Sequence, residues 1–161
     1  MPQDFDDFEA SHASQASHAS QASQASHASD SSDDEAQIRA LITGWAAAVH
    51  RGDLAGVIAD HAQDLVMFDV PPPHHGIRGL AAYRAAWPPF FAWQAQGACF
   101  DIESLDITAG SDVAYAHALV RCATPEELAE HPDFRLRLTF GLRKERGRWL
   151  VAHEHHSFPH D

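Results

Sequence analysis

The stretch GWAAAVHRGDLAGVIADHAQDLVMFDVP, residues 44–71, passes from a helical pattern to a strand pattern. Apolar residues recur every three or four positions over residues 38–49, which predicts an amphipathic helix. Gly52 can end that helix, and Asp53 can cap a second, short one. LVMFDV, residues 65–70, then predicts a short strand, because the three prolines that follow cannot continue a central strand.

The chain beyond this stretch continues with one more helix and then changes to strands. Residues 79–87 predict a third helix, which Pro88 and Pro89 should kink or end. Alternating apolar and polar residues then predict four consecutive strands over residues 98–108, 112–123, 134–144 and 148–157. We therefore expect an α+β fold in which a curved antiparallel sheet wraps around three N-terminal helices.

The N-terminal region differs in composition from the rest of the chain. Residues 11–29 repeat a three-residue unit of Ser, then His or Gln, then Ala, with no aromatic or branched apolar side chain. Such a segment cannot bury enough surface to offset its ordering entropy. We predict a disordered low-complexity tail over residues 1–33 and one folded domain over residues 34–161.

The charge and the cysteine content indicate which partners and compartment to expect. The formal net charge is −12, and no basic stripe is present, so nucleic acid and anionic membrane surfaces are poor partners. No apolar run is long enough for a membrane span. The two cysteines, Cys99 and Cys122, do not form a disulfide framework, which favours a cytoplasmic protein.

Two further stretches carry a family resemblance together with residues 44–71. They are HGIRGLAAYRAAW, residues 75–87, and RLTFGLRKERGRWLVAHEHHS, residues 137–157. With these residues the chain resembles the nuclear-transport-factor-2-like superfamily, in particular its SnoaL-like and ketosteroid-isomerase-like branches. The resemblance covers residues 34–158 and implies a cone-shaped fold with an internal pocket, a small-molecule ligand and a homodimer.

The resemblance also implies which side of each strand faces the pocket. It places on the concave face Tyr115, His117, Leu138, Phe140, Glu154 and His156. The opposite faces should lie on the outer surface or at a subunit interface, and they carry Ala114, Ala116, Ala118, Trp149, His153 and His155. Patterning alone leaves the last strand open, because a β-bulge would exchange its two sets of side chains.

Four titratable residues are candidates for acid–base chemistry. By the resemblance, Asp69 matches the general base of ketosteroid isomerase, and an apolar pocket raises the pKa of such a carboxyl. His117 could relay a proton, and Glu154 could orient the imidazole of His156. Each has a structural alternative, which is a loop cap for Asp69, a hydrogen-bonded core histidine for His117 and an ion pair with arginine for Glu154.

Apolar and aromatic residues are expected to form the walls of the pocket, namely Trp45, Tyr83, Trp87, Tyr115, Leu138 and Phe140. Two of them depart from ketosteroid isomerase, where a Tyr and a protonated Asp hold the oxyanion. Trp45 can donate one hydrogen bond there, but Leu138 can donate none. Because a base without its oxyanion donors loses most of its catalytic power, we expect no steroid isomerase activity.

The histidine-rich end of the chain raises the question of a metal site. A His-x-His pair on a strand supplies two ligands, whereas zinc needs three or four. We expect no metal and no cofactor. The predicted function is binding of a small, partly apolar organic molecule, with acid–base conversion of isomerase, dehydratase or cyclase type as its enzymatic form. The alternative is a non-catalytic ligand-binding or oligomerisation domain.

Overall fold

The computed structural model describes residues 30–159, which form four helices and six strands. The helices are α1 (30–51), α2 (Leu54–Ile58), α3 (Leu80–Gln94) and α4 (Pro125–Glu130). The strands are β1 (His61–Phe68), β2 (Ile77–Arg78), β3 (Cys99–Ala109), β4 (Val113–Ala123), β5 (Leu136–Glu145) and β6 (Arg148–Ser157). The short elements β2 and α4 were not predicted from the sequence.

The strands form one curved sheet in the order β2-β1-β6-β5-β4-β3. The predicted α+β architecture, a curved sheet over three helices, is confirmed. Neighbouring strands are antiparallel except for β1 and β6, which pair in parallel. This pairing sets the end of β1 beside the end of β6, with Met67 opposite Glu154.

Helix α1 packs across the concave face of the sheet through its apolar stripe. Trp45 lies at the centre of that stripe and makes edge-to-face contacts with Phe100 and Phe140, at ring-centroid distances of 5.5 and 5.3 Å. The helix ends as predicted at Gly52, which adopts a left-handed φ of 67°. Asp53 caps α2 as predicted, because its carboxylate accepts a hydrogen bond from the Gly56 N–H.

The predicted tail lies mostly outside the described residues, which begin at residue 30. Residues 30–33, which we assigned to the tail, are helical and belong to α1. The contacts of the next residue, Asp34, explain why residues 30–33 belong to the helix. Its buried carboxylate accepts hydrogen bonds from Lys144 Nζ at 2.7 Å and Trp149 Nε1 at 2.9 Å, which fasten this end of α1 to the β5–β6 hairpin.

Helix α3 continues to Gln94 through Pro88 and Pro89, which were expected to kink or end it. Proline lacks an N–H, so Pro88 and Pro89 leave the carbonyls of Arg84 and Ala85 without their helical partners. All four of these residues are exposed, and water can bind the freed carbonyls. The aromatic residues after the prolines pack against the core and hold the helix in place.

The two faces of β4 are the reverse of the prediction. Ala114, Ala116 and Ala118 are buried, while Tyr115 and His117 are exposed. The sheet register explains this, because directly paired residues of neighbouring strands share a face. Ala116 pairs with Phe140 and Ala118 with Leu138, so the alanines face the core beside these large side chains of β5.

A β-bulge divides β6 into two segments with different alternation. Gly141 pairs with His153 and Leu142 pairs with Val151, so Ala152 is the extra residue on β6. Trp149 and Val151 before the bulge are buried, as are Glu154 and His156 after it. The expectation that Trp149 lies on the outer face with His153 and His155 is therefore wrong. The inward orientation of Glu154 and His156 is as predicted.

Candidate functional site

A cavity of about 460 Å³ lies between the second half of α3 and the far ends of β1, β4, β5 and β6. Its wall is mainly apolar and rich in aromatic rings. The lining residues are Met67, Asp69, Val70, Pro71, Ala86, Trp87, Pro89, Phe90, Trp93, Phe100, Cys122, Glu127, Phe134, Leu136, His156 and Phe158. A cavity of this size and composition can hold a small, mostly apolar organic molecule.

A chain of hydrogen bonds leads from this cavity into the core, and Glu154 is its central member. The Glu154 side chain is completely buried. Its Oε2 lies 2.9 Å from His156 Nε2, and its Oε1 lies 2.7 Å from His61 Nε2. The Tyr83 hydroxyl donates to the same Oε1 at 2.8 Å and accepts from Trp45 Nε1 at 3.0 Å. His156, His61, Tyr83 and Trp45 are all buried. Each oxygen of Glu154 faces at least one hydrogen-bond donor.

These contacts determine the charge states of the hydrogen-bonded residues. Burial opposes ionisation of Glu154, but the hydrogen bonds from His156 and His61 outweigh it and lower the pKa of Glu154 to about 2. Burial also disfavours the imidazolium of His156, yet its hydrogen bonds to Asp69 and Glu154 raise the pKa of His156 to about 9. The pKa of His61 is likewise raised, because bonding to Glu154 outweighs the effect of burial.

The Tyr83 hydroxyl remains a neutral donor in this chain. Burial and the nearby negative charge of Glu154 raise the pKa of Tyr83 well above its usual value. The indole nitrogen of the neighbouring Trp87 is buried and has no hydrogen-bond partner within residues 30–159. Trp87 contacts the Tyr83 ring edge-on at 5.6 Å between centroids, so it joins the cavity wall to the buried chain.

Asp69 is the outermost member of the chain and lines the cavity. Its Oδ1 accepts a hydrogen bond from the Val70 N–H at 2.8 Å and lies 3.1 Å from His156 Nδ1. Both ring nitrogens of His156 thus face carboxylate oxygens, and each nitrogen carries a proton. Asp69 Oδ2 has no hydrogen-bond partner among the described residues, and 31% of the side chain is exposed. A ligand in the cavity can therefore reach this oxygen.

The structure brings some of the predicted site residues together and separates others. Asp69, His156 and Trp87 line the cavity. Glu154, Tyr83 and Trp45 lie beneath its wall, in the buried hydrogen-bonded chain. Leu138 and Phe140 belong to the hydrophobic core.

His117 and Tyr115 do not face the cavity, so the prediction that places them there is wrong. Both project from the outer face of β4, since the alanines between them occupy the inner face. His117 lies 3.8 Å from Asp106 across the β3–β4 pair, and both side chains are exposed. Of the four titratable candidates, Asp69 and His156 line the cavity, and Glu154 lies behind them.

Sequence reasoning missed several residues of the site. His61 was not among the candidates, and only the parallel pairing of β1 with β6 brings it to Glu154. Glu127 reaches the cavity from α4, where it also forms a capping box with Thr124. The Thr-Pro-Glu-Glu start of α4 is a recognisable capping signal that could have revealed this helix. Phe134 and Phe158 stack at 4.4 Å just outside the strands that carry them.

Within residues 30–159, no three His, Cys, Asp or Glu side chains are arranged to hold a metal ion. None of the described helices has the length and apolar character needed to cross a membrane.

A family model described as a SnoaL-like domain matches residues 38–161. The fold is similar to an NTF2-like protein of unknown function from Pseudomonas putida KT2440, with 35% identity over 81% of this chain and 90% of that chain and a TM-score of 0.73. It is also similar to a candidate ketosteroid isomerase from Shewanella frigidimarina NCIMB 400, with 22% identity, coverage of 73% and 91%, and a TM-score of 0.58.

A third solved structure is a candidate aromatic ring hydroxylase from Novosphingobium aromaticivorans, with 18% identity, coverage of 80% of this chain and 91% of that chain, and a TM-score of 0.60. At the identities of these last two structures, the similarity shows the fold alone. No curated protein matches the sequence.

Proposed function

This chain belongs to the SnoaL-like domain family, and on that basis we propose that its cavity binds a small, largely apolar organic molecule from which Asp69 accepts a proton. The observation that carries the proposal is the position of Asp69. Its carboxylate lies at the wall of an aromatic cavity, and a buried ion pair holds it there through His156. A carboxylate with one free oxygen in such a cavity can take a proton from a bound molecule.

The proposed division of roles follows from the hydrogen bonds. Asp69 Oδ2 is the proton acceptor, because Oδ1 is engaged by the Val70 N–H and His156. His156 is a positioning residue whose positive charge keeps Asp69 in place. Glu154 and His61 fix the ring of His156 from below. In an isomerase-type reaction, Asp69 would take a proton from one atom of the ligand and return it to another, which needs no cofactor.

We do not propose a steroid isomerase activity for this chain, despite the name of the Shewanella structure. That reaction needs hydrogen-bond donors for an oxyanion. Trp45 Nε1 is committed to the Tyr83 hydroxyl, and Leu138 is a core residue without a polar group. We therefore propose a different substrate for this cavity.

Binding without turnover is the second candidate, and the state of His156 favours it. Both ring nitrogens are held by carboxylates, so His156 cannot accept a proton or pass one on without first losing a partner. Among the described residues that line the cavity, only Asp69 has an oxygen that is free to accept a proton and also lies next to a cation. If the chemistry needs a separate general acid, the cavity would bind its ligand and leave it unchanged.

A thermal-shift screen with small aromatic and alicyclic compounds, followed by turnover assays on the hits, tests the proposal. We expect Asp69→Asn to lower turnover by about 100-fold or more and to keep the fold, since Asn retains the acceptor oxygen. Asp106→Asn, on the outer face, is the matched control. If Asp69→Asn converts and binds the ligand as well as Asp106→Asn does, Asp69 is not the acceptor. If ligands bind but none is converted, the non-catalytic candidate holds.

We also propose that two copies of the chain associate through the outer face of the sheet. The support is an apolar stripe on β4, where Val113, Tyr115 and Leu119 are 63%, 54% and 42% exposed. Large apolar side chains grouped on one strand favour a protein interface. The interface expected from the sequence used the alanines of β4, but those face the core. The proposed contact therefore uses the alternate residues of the same strand.

A further inference from the structure

The charged groups at the cavity wall do not balance. Among the lining residues that the structure describes, three carry a full charge at neutral pH, namely Asp69, Glu127 and His156, and none is Lys or Arg. Two carboxylates therefore face one imidazolium. In the layer beneath, both ring nitrogens of His61 face acceptors, the Ala59 carbonyl and Glu154, so the ring carries both protons and its charge cancels that of Glu154. The cavity has an excess of one negative charge when it is empty or holds a neutral molecule.

The single cation at the wall is not available to an anionic ligand. His156 Nδ1 lies 3.1 Å from Asp69 and its Nε2 lies 2.9 Å from Glu154, so both of its N–H groups are already used. A carboxylate or phosphate would have to displace Asp69 from His156. It would also bring another negative charge close to Asp69, beside a largely apolar wall, which is unfavourable.

Both carboxylates line the cavity, Glu127 from the first turn of α4 and Asp69 from the segment that follows β1. Each carboxylate also keeps an unused oxygen. Glu127 Oε2 accepts from the Thr124 N–H at 2.7 Å, while Glu127 Oε1 and Asp69 Oδ2 have no hydrogen-bond partner within residues 30–159.

Aromatic rings form most of the remaining wall. Six of them line the cavity, contributed by Trp87, Phe90, Trp93, Phe100, Phe134 and Phe158. The face of an aromatic ring carries partial negative charge and attracts an organic cation. The same rings bury the apolar body of a ligand and exclude water, which strengthens an ion pair with a carboxylate.

Given the proposed small-molecule function, we infer that the ligand is an organic cation, a protonated amine on an aromatic or alicyclic body. Its ammonium group pairs with the carboxylates of the cavity wall, Asp69 and Glu127, and its body packs against the tryptophan and phenylalanine rings. The bound cation neutralises the excess negative charge of the wall. An ammonium group has up to three N–H donors, enough for a free oxygen of each carboxylate.

Three compounds with one apolar body and different head groups test this inference by calorimetry on the full-length chain. They are biphenylmethylamine, biphenylmethanol and biphenylcarboxylate. We expect the amine to bind at least about tenfold more tightly than the alcohol, and the carboxylate to bind more weakly still. Higher salt should reduce the advantage of the amine, because ionic attraction is screened.

The variants Glu127→Gln and Glu126→Gln separate the site from general charge effects. Both residues lie in the first turn of α4, but only Glu127 lines the cavity. Gln can take the place of Glu in the capping box, so Glu127→Gln should fold. We expect it to weaken binding of the amine by about five- to tenfold and to leave binding of the alcohol unchanged. Glu126→Gln should change neither.

The outcomes distinguish this inference from the proposed function. If the carboxylate or the alcohol binds as tightly as the amine, the cation inference is wrong while small-molecule binding stands. If Glu127→Gln and Glu126→Gln weaken amine binding equally, the effect belongs to the charge of the whole protein and not to the cavity. If none of the three compounds binds at concentrations up to about 1 mM, both the inference and the binding function lose their support.

Discussion

Glu154 is a charged residue without solvent exposure, and its surroundings explain how the fold tolerates it. A buried carboxylate is strongly unfavourable unless it is paired and hydrogen-bonded. His61, His156 and Tyr83 supply those partners from three different elements, β1, β6 and α3. The carboxylate therefore links the elements that surround the cavity, and the two imidazoliums depend on it for their counter-charge.

Replacing Glu154 should remove that counter-charge. Glu154→Gln leaves His61 and His156 buried without their shared anion, and we expect it to lower the free energy of unfolding by about 3–5 kcal/mol. Urea denaturation measures this. The control is Glu145→Gln, which removes a partner of Arg143 from an exposed ion pair and should have little effect. Equal stability of the two variants would contradict an ionised Glu154.

The ionisation of His156 gives stability a defined dependence on pH. The pKa of His156 is about 9 in the folded protein, against an ordinary value of 6.5, so its contribution to stability is complete below pH 6.5 and is lost as the pH rises to about 9. The pKa of Glu154 is lowered from 4.5 to about 2, so its contribution is lost as the pH falls through that range. We expect the unfolding temperature to decrease above pH 6.5 and below pH 4.5.

NMR of the His156 ring measures the same property at a single residue. The ring should remain protonated at neutral pH and titrate near 9. His155→Gln, an exposed neighbour, should leave both this titration and the pH profile of stability unchanged. A His156 ring that titrates at 6.5, with stability level between pH 6.5 and 9, would show that the two carboxylates do not hold its proton.

The sequence predicts part of the site because residue type and position were informative there. The family resemblance singled out Asp69, at the end of a short strand, and it placed Glu154 and His156, which have one position between them, on the concave face. His61 and Glu127 could not be found in this way. Each reaches the site through a contact between elements distant in the chain, and nothing in its local sequence signals that contact.

At the level of elements, alternation predicts the strands but not the side of the sheet that each residue faces. Successive side chains of β4 project to opposite faces, and both sets contain apolar residues, so the sequence is consistent with either orientation. Burial of the small alanines is decided by the large residues beside them, since Phe140 and Leu138 of β5 need neighbours that leave room. In β6, the bulge at Ala152 allows Trp149 and Glu154 to point inward on one strand.

The loop after β1, which follows Asp69, depends on a glycine. Gly76 has a φ of +74°, and an added Cβ would lie 2.5 Å from the Met67 carbonyl oxygen. We expect Gly76→Ala to lower the free energy of unfolding by about 1–3 kcal/mol or more. Gly44 is the control, because it is helical and a Cβ there would meet nothing within 4 Å. Gly44→Ala should instead raise stability by about 0.5–1 kcal/mol. Thermal denaturation of both variants measures the difference, and equal effects would contradict the close contact at Gly76.

At the level of the whole molecule, the cavity is a product of the sheet topology. Its polar side combines the ends of β1 and β6, which are parallel neighbours separated by most of the chain. Its apolar side comes from α3 and the ends of β4 and β5. The general architecture was predictable from the order of hydrophobic patterns, since few other folds would bury them. The parallel pairing was not, because it depends on contacts that no local pattern records.

The proposed dimer should depend on the apolar stripe of β4. Tyr115→Glu places a charge at the centre of that stripe without touching the core, because the side chain is 54% exposed. We expect the wild-type chain to sediment as a dimer at micromolar concentration and Tyr115→Glu to sediment as a folded monomer. Gln96→Glu, in the exposed turn after α3 and away from the sheet face, is the control for added charge. A monomeric wild-type chain would contradict the dimer.

The most direct measurement of the site is a crystal structure of the chain with the tightest-binding compound from the thermal-shift screen. We expect the compound in the cavity with its apolar body against Trp87 and Phe134. Its polar group should lie within about 3 Å of Asp69 Oδ2, with His156 still between Asp69 and Glu154. A compound bound outside this cavity, or one inside it whose polar group avoids Asp69, would contradict the assignment of Asp69 as the ligand-contacting base.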